Sequence, residues 1–145
     1  MNLLHILSTA LIYVGIASAA LKNYTIQDDD PAVTYSQIPL VTCPPTTCSP
    51  TMANLFNGTA TVTDGPITVS FTGSAVYVYL GASGPCFFTI DGVTAGTFPG
   101  STLDELNQDE RLVYSNTSLT DEEHRLAIYP GALVSLVAFD YVVYT

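Results

Sequence analysis

Carboxylates are the only potentially reactive groups this chain has in quantity. Asp104-Glu105, Asp109-Glu110 and Asp121-Glu122-Glu123 set acids side by side. A pair of carboxylates hydrolyses a glycosidic bond when one is held protonated and the other ionised. These runs lie in polar, loop-like stretches, where adjacent charges are solvated rather than tuned. A serine nucleophile needs a Gly-x-Ser-x-Gly elbow and a base. No such elbow is present, and the one histidine beyond the N-terminal stretch, His124, opens an alternating segment. That position predicts a strand-end surface residue. Asp91 precedes Gly92, and in an Asp-Gly pair the acid is a turn former rather than a catalyst or calcium ligand. Metal binding fails on the same count: Cys43, Cys48 and Cys86 have one histidine to join them and no second cysteine pair at ligand spacing. The sequence therefore predicts no catalytic residue, no metal and no cofactor.

The remaining covalent chemistry is that of an exported protein. Leu3 to Ile16 is almost wholly apolar and runs into Ala17-Ser18-Ala19, the small-x-small pattern that signal peptidase accepts. Residues 1–19 are expected to be a signal peptide cut between Ala19 and Ala20, leaving 20–145 as one domain. Three sequons agree with export: Asn23-Tyr24-Thr25, Asn57-Gly58-Thr59 and Asn116-Thr117-Ser118. Glycans must project into solvent, so Asn23, Asn57 and Asn116 are expected at the surface. In an oxidising compartment, Cys43-Pro-Pro-Thr-Thr-Cys48 invites a local bridge between Cys43 and Cys48. Closing so small a ring stabilises by only about 2 kcal/mol. The rival pairing joins Cys86 to Cys43 or Cys48, and the spacing leaves it open.

Charge narrows the partners. The net charge is −10, and Lys22, Arg111 and Arg125 are the only Lys and Arg residues. So few cations cannot neutralise phosphates, which argues against nucleic acid and anionic membranes. The apolar stretch from Ala132 is interrupted by Asp140 and carries tyrosines, so it reads as a final core strand rather than a lipid-anchor signal. The expectation is a released protein.

The elements that must position these residues are almost all strands. Ile67, Val69 and Phe71 alternate with Thr68, Ser70 and Thr72, which predicts one buried face. Val76, Val78 and Leu80 alternate with Tyr77 and Tyr79, apolar on both faces as in a central strand. Gly81 to Pro85 reads as a loop. Cys86 to Phe98 reads as a hairpin turning at Asp91-Gly92, where glycine accepts the positive φ of a tight turn. Leu103 to Arg111 reads as a loop or one helical turn. Leu112 to Tyr114 and His124 to Tyr129 are further strands, separated by Asp121-Glu122-Glu123, and Leu133 to Thr145 closes the domain with one or two strands in which Phe139, Tyr141 and Val143 alternate. Tyr77, Tyr79, Tyr141 and Tyr144 are expected to hold the sheets together rather than to meet a ligand. Short strands and Gly/Pro turns at this spacing predict an antiparallel β-sandwich or barrel.

The paired segment Ile67 to Tyr79, with Phe88-Thr89-Ile90-Asp91-Gly92, Leu112-Val113-Tyr114, His124-Arg125-Leu126 and the ending Phe139 to Thr145, resembles a group of secreted and membrane-anchored proteins of mushroom-forming (basidiomycete) fungi. The resemblance implies a galactose-binding-domain-like jelly roll, an architecture shared with many carbohydrate-binding modules. It implies a fold more than an activity. The functional expectation is a secreted, non-catalytic glycan-binding protein, with cell-wall or other extracellular glycans as partners. The alternative is a structural or protein-interaction component of the cell surface with no glycan ligand.

Overall fold

The structure, a computed structural model, describes residues 21–43, 55–100, 112–131 and 135–145, with backbone alone at 41–43. The leader and its Ala19–Ala20 junction, the segment from Leu103 to Arg111 and Cys48 lie outside the described residues. Among those described, the strands are β1 (Tyr24–Gln27), β2 (Val33–Tyr35), β3 (Val41–Cys43), β4 (Ala60–Thr63), β5 (Ile67–Gly73) and β6 (Val76–Ala82). There follow β7 (Cys86–Ile90), β8 (Val93–Phe98), β9 (Leu112–Asn116), β10 (Glu122–Pro130) and β11 (Val137–Tyr144).

They form two antiparallel sheets, a sandwich as the alternation predicts and of the jelly-roll type that the resemblance implies. A six-stranded sheet runs β3-β4-β11-β6-β9, with β1 also paired to β11. A five-stranded sheet runs β2-β5-β10-β7-β8. Period-2 alternation assigns the faces. Ile67, Val69 and Phe71 are buried while Ser70 and Thr72 are exposed. The same parity turns Leu126 and Ile128 of β10 and Phe88 and Ile90 of β7 inward. They meet Val76, Val78 and Leu80 of β6 and Val137, Phe139 and Val142 of β11 in one core. Tyr114 of β9 closes one edge: its ring stacks on Phe88 at 4.8 Å and lies against Gly96 of β8, where a Cβ would come within 2.9 Å of it.

Strand β11 changes partners along one side. Residues 137–139 pair with β4 and residues 141–144 with β1, and the ladder to β6 is irregular between Phe139 and Tyr141, so the expected alternation of Phe139, Tyr141 and Val143 breaks there and Val142 joins Phe139 in the core. Buried Asp140 sits at that junction and accepts the Phe56 amide at 3.1 Å. Asp28, buried just past β1, accepts the Thr59 and Thr61 hydroxyls on its two carboxylate oxygens at 2.9 and 2.8 Å. Asp28 thus ties the end of β1 to β4, and Asp140 ties β11 to the turn before β4.

Two boundaries depart from expectation. Gly81 and Ala82, read as loop, continue β6, because these small residues pair with Ala138 and Val137 of β11. Glu122 and Glu123, read as solvated linker, begin β10 opposite Gly73 and Thr72, with their side chains exposed. The ladder extends the strand wherever a partner backbone is available, whatever the side-chain charge.

Candidate functional site

The hairpin of β7 and β8 turns as its sequence requires. Ile90 pairs with Val93 across a two-residue turn, and Asp91 and Gly92 take φ values of 52° and 79°, both left-handed. Asp91 does more than turn the chain. Its carboxylate accepts the Arg125 amide at 2.8 Å through Oδ1 and faces His124 Nδ1 at 2.7 Å through Oδ2. The other ring nitrogen of His124, Nε2, lies 2.9 Å from the Thr120 carbonyl.

His124 is therefore not the surface residue its sequence position predicts. It is 5% exposed and packs its ring 5.5 Å from that of Phe71. The inward parity of β10 puts it there. A carboxylate and a backbone carbonyl only accept, so both ring nitrogens must donate, and the site suits an imidazolium. The hydrogen bonds to Asp91 and then Thr120 raise its pKa. In turn the Arg125 amide, followed by His124, holds the Asp91 carboxyl below the usual range. With both nitrogens engaged, His124 has no lone pair to offer a substrate. The pair is a clamp between the hairpin turn, β10 and the 117–121 loop.

Three aromatic side chains are exposed among the described residues: Tyr24 of β1, which stacks on Tyr144 at 5.3 Å in the six-stranded sheet, and two on the other sheet. On the outer face of the five-stranded sheet, Phe87 of β7 and Tyr129 of β10 are directly opposed, and they are 44% and 42% exposed. Directly opposed residues on one face stand about 5 Å apart at Cβ. Phe87 has a fixed seat: a Cβ on Gly131 would lie 2.5 Å from Phe87 Cε2, so the ring rests where that glycine offers bare backbone. Gly131 is itself held by its amide on the Pro85 carbonyl at 2.7 Å. Thr97 of β8 stands on the other side of Phe87, also exposed. Two ring faces on a rigid ladder, with hydroxyls beside them, can stack on a flat apolar surface such as the C–H face of a sugar.

Sequence reasoning missed this pair. It followed the tyrosines of β6 and β11, and Phe87 and Tyr129 lie 42 positions apart, joined only by the β7–β10 register. The available signal was parity, since Phe87 is out of phase with Phe88 and Ile90.

The other sequence-predicted positions are placed as follows. Asn23 and Asn57 are exposed and Asn116 is half-buried. The Asn23 side-chain oxygen accepts the Thr145 hydroxyl at 3.1 Å, Asn57 Nδ2 donates to Gln27 Oε1 at 2.9 Å, and Asn116 Oδ1 accepts the Ser118 amide at 3.0 Å. All three lie on or beside strands of the six-stranded sheet. Cys43 ends β3, and the expected Cys43–Cys48 bridge lies outside the described residues. Cys86 is a free, buried thiol, and burial pushes its pKa up to about 11. Among the described residues, no three His, Cys, Asp or Glu side chains converge to hold a metal ion, and no helix is long and apolar enough to cross a membrane.

No protein-family model matches the chain, and no curated protein matches it. Solved structures resemble it in fold. One is a family two carbohydrate esterase from Cellvibrio japonicus, with a TM-score of 0.55 and 13% identity, covering 86% of this chain and 33% of that one. A second is the catalytic unit of a GH87 α-1,3-glucanase from Streptomyces thermodiastaticus strain HF3-3, with a TM-score of 0.51 and 13% identity, covering 88% of this chain and 26% of that one. The chain spans only about a third and a quarter of the length of these enzymes. A third is the CBM36-1 domain of a multidomain xylanase from the hindgut metagenome of Trinervitermes trinervoides, with a TM-score of 0.50 and 12% identity, covering 84% of this chain and 95% of that one. The chain has the jelly-roll sandwich fold found in carbohydrate-binding modules and in domains of carbohydrate-active enzymes.

Proposed function

We propose that this protein is a secreted, non-catalytic glycan-binding module that meets its ligand on the outer face of the five-stranded sheet. The observation that carries this reading is the opposed pair Phe87 and Tyr129, two large rings left to solvent while their neighbours on β7 and β10 are packed. A cross-strand aromatic pair stabilises a sheet by no more than about 1 kcal/mol, whereas two rings held at fixed places in water suit a stacking surface. The fold supports the reading, being that of the CBM36-1 domain of a xylanase among others. Among the described residues, the one buried imidazole is engaged at both nitrogens, which supports a module without catalysis.

Export through the N-terminal leader, and glycans at Asn23, Asn57 and Asn116, belong to the same proposal. Their positions support it, because glycans there would stand on the six-stranded side and leave the aromatic pair uncovered. The free Cys86 supports a Cys43–Cys48 bridge over a bridge to Cys86.

The test is retention on insoluble wall polysaccharides. The wild-type protein should be retained on at least one of glucan, xylan, mannan or chitin, and Phe87→Ala and Tyr129→Ala should each release it without loss of fold. Uniform failure of the wild-type protein to bind would favour the cell-surface structural role instead.

A further inference from the structure

The outer face of the five-stranded sheet holds more than two rings. Register places Thr34 of β2 opposite Thr68 of β5, Thr68 opposite Ala127 of β10, Ala127 opposite Thr89 of β7, and Thr89 opposite Thr94 of β8. One row of outward residues thus crosses all five strands, with a hydroxyl at every strand except the central one. There Ala127 contributes only a methyl, 7% exposed, and sets a low floor. One side of the row is bounded by Phe87 and Tyr129. The other side is bounded by Arg125, two residues before Ala127 on β10, whose Nη2 lies 3.4 Å from the Thr68 hydroxyl.

Building on the glycan-binding reading, we propose that this row is a lane for an extended, uncharged polysaccharide chain lying across the strands. Three features lead to that ligand. Neighbouring strands are spaced by about 4.8 Å, close to the length of one sugar unit in an extended chain, so successive units meet equivalent threonines. Hydroxyls donate and accept, as sugar hydroxyls do, so each threonine can pair with a unit in either orientation. The rings of Phe87 and Tyr129 take the apolar edge of the chain. Charge disfavours polyanions: among the described residues Arg125 is the one cation on β10's outer face, Glu123 lies on the same face, and the whole chain carries −10.

The lane crosses four strand gaps, or about 19 Å, which is roughly four sugar units. Binding should therefore depend on chain length. Calorimetric titration with disaccharide to hexasaccharide series of β-1,3-glucan, β-1,4-xylan and β-1,4-mannan should show affinity rising to the tetrasaccharide or pentasaccharide and then level. Polygalacturonate should not bind. Ala127→Leu raises the floor and should weaken binding of the preferred hexasaccharide by about tenfold or more while Phe87 and Tyr129 stay in place. Thr34→Val and Thr94→Val, isosteric at the two ends, should weaken the long oligomers and leave the disaccharide unaffected. Melting curves establish that each variant is folded, and the threonine pair decides the matter if Ala127→Leu is not.

A disaccharide bound as tightly as the hexasaccharide would overturn the lane. So would full binding by both threonine variants, or equal binding of polygalacturonate. In those cases loss of binding in Phe87→Ala still upholds the glycan reading. If the wild-type protein binds none of these neutral series and no wall polysaccharide, the glycan reading fails and the lane with it.

Discussion

The two outer faces of the sandwich both carry aromatic rings, and they use them in opposite ways. On the six-stranded sheet, Tyr79 stacks on Tyr141 at 4.3 Å and Phe56 leans on Tyr141 at 4.8 Å, leaving Tyr141 only 8% exposed. On the five-stranded sheet, Phe87 and Tyr129 face each other in register, yet each remains more than 40% exposed. The first set spends its ring faces on itself and stiffens the sheet, as expected for Tyr79 and Tyr141. The second offers them to solvent. What separates the two is the neighbourhood: Phe56, in the turn before β4, leans onto Tyr141, whereas the Phe87 ring edge rests on the bare backbone of Gly131. An outward aromatic residue is structural or available according to what the next element does.

That contrast can be broken or sharpened by substitution. The largest effect belongs to the core common to both sheets. Phe71→Ala removes a ring that is 4% exposed and should destabilise by about 3–5 kcal/mol in urea melts, against roughly 0.5 kcal/mol for exposed Thr72→Ala. Equal losses would show that the faces of β5 are misassigned. Next comes Tyr141→Ala, which strips both partners of their stacking face and should cost about 3 kcal/mol. A loss below about 1 kcal/mol would mean that the six-stranded face is as idle as the other.

A smaller effect is expected from the His124 clamp, and it depends on pH. The folded pKa of His124 is raised, so its contribution is complete below the ordinary value of about 6.5 and fades as pH rises through the folded value. The folded pKa of Asp91 is lowered, so its contribution is complete above about 3.9 and fades as pH falls through the folded value. Glu122, the other acid near the ring, favours the same imidazolium. The melting temperature of the wild-type protein should exceed that of His124→Gln most at mildly acid pH, and the gap should narrow on the alkaline side. A gap independent of pH would show that the ring is neutral.

The smallest effect on stability should come from the available pair. Phe87→Ala and Tyr129→Ala are expected to shift unfolding by no more than about 1 kcal/mol while removing retention on wall polysaccharide. Gly131→Ala sharpens the point, because its methyl would displace the Phe87 ring without altering it chemically. It should reduce retention in proportion to the displacement and leave retention intact only if the seat is irrelevant.

Much of this was legible along the chain. Alternation over Ile67–Phe71 located β5 and its buried face, the apolar run Val76–Leu80 located β6, and Asp91-Gly92 located the hairpin turn. Short strands with mixed composition were harder. β1, β2 and β4 carry only three or four residues each, too few for a period to show. They are strands because β11, β5 and β3 supply a backbone partner. Likewise the acidic start of β10 looks like solvated linker until the ladder with Gly73 and Thr72 is known.

Parity is a local property of an extended backbone, so the sequence by itself determined which residues share a face within each strand. It could say that Phe87 is out of phase with Phe88 and Thr68 out of phase with Val69. Register between strands is not local. It follows from how two sheets bury one core, and a slip of one residue would turn every side chain to the other face. Only the tertiary structure therefore decided that Phe87 meets Tyr129, that His124 closes on Asp91 across 33 positions, and that Thr34, Thr68, Ala127, Thr89 and Thr94 fall into one row.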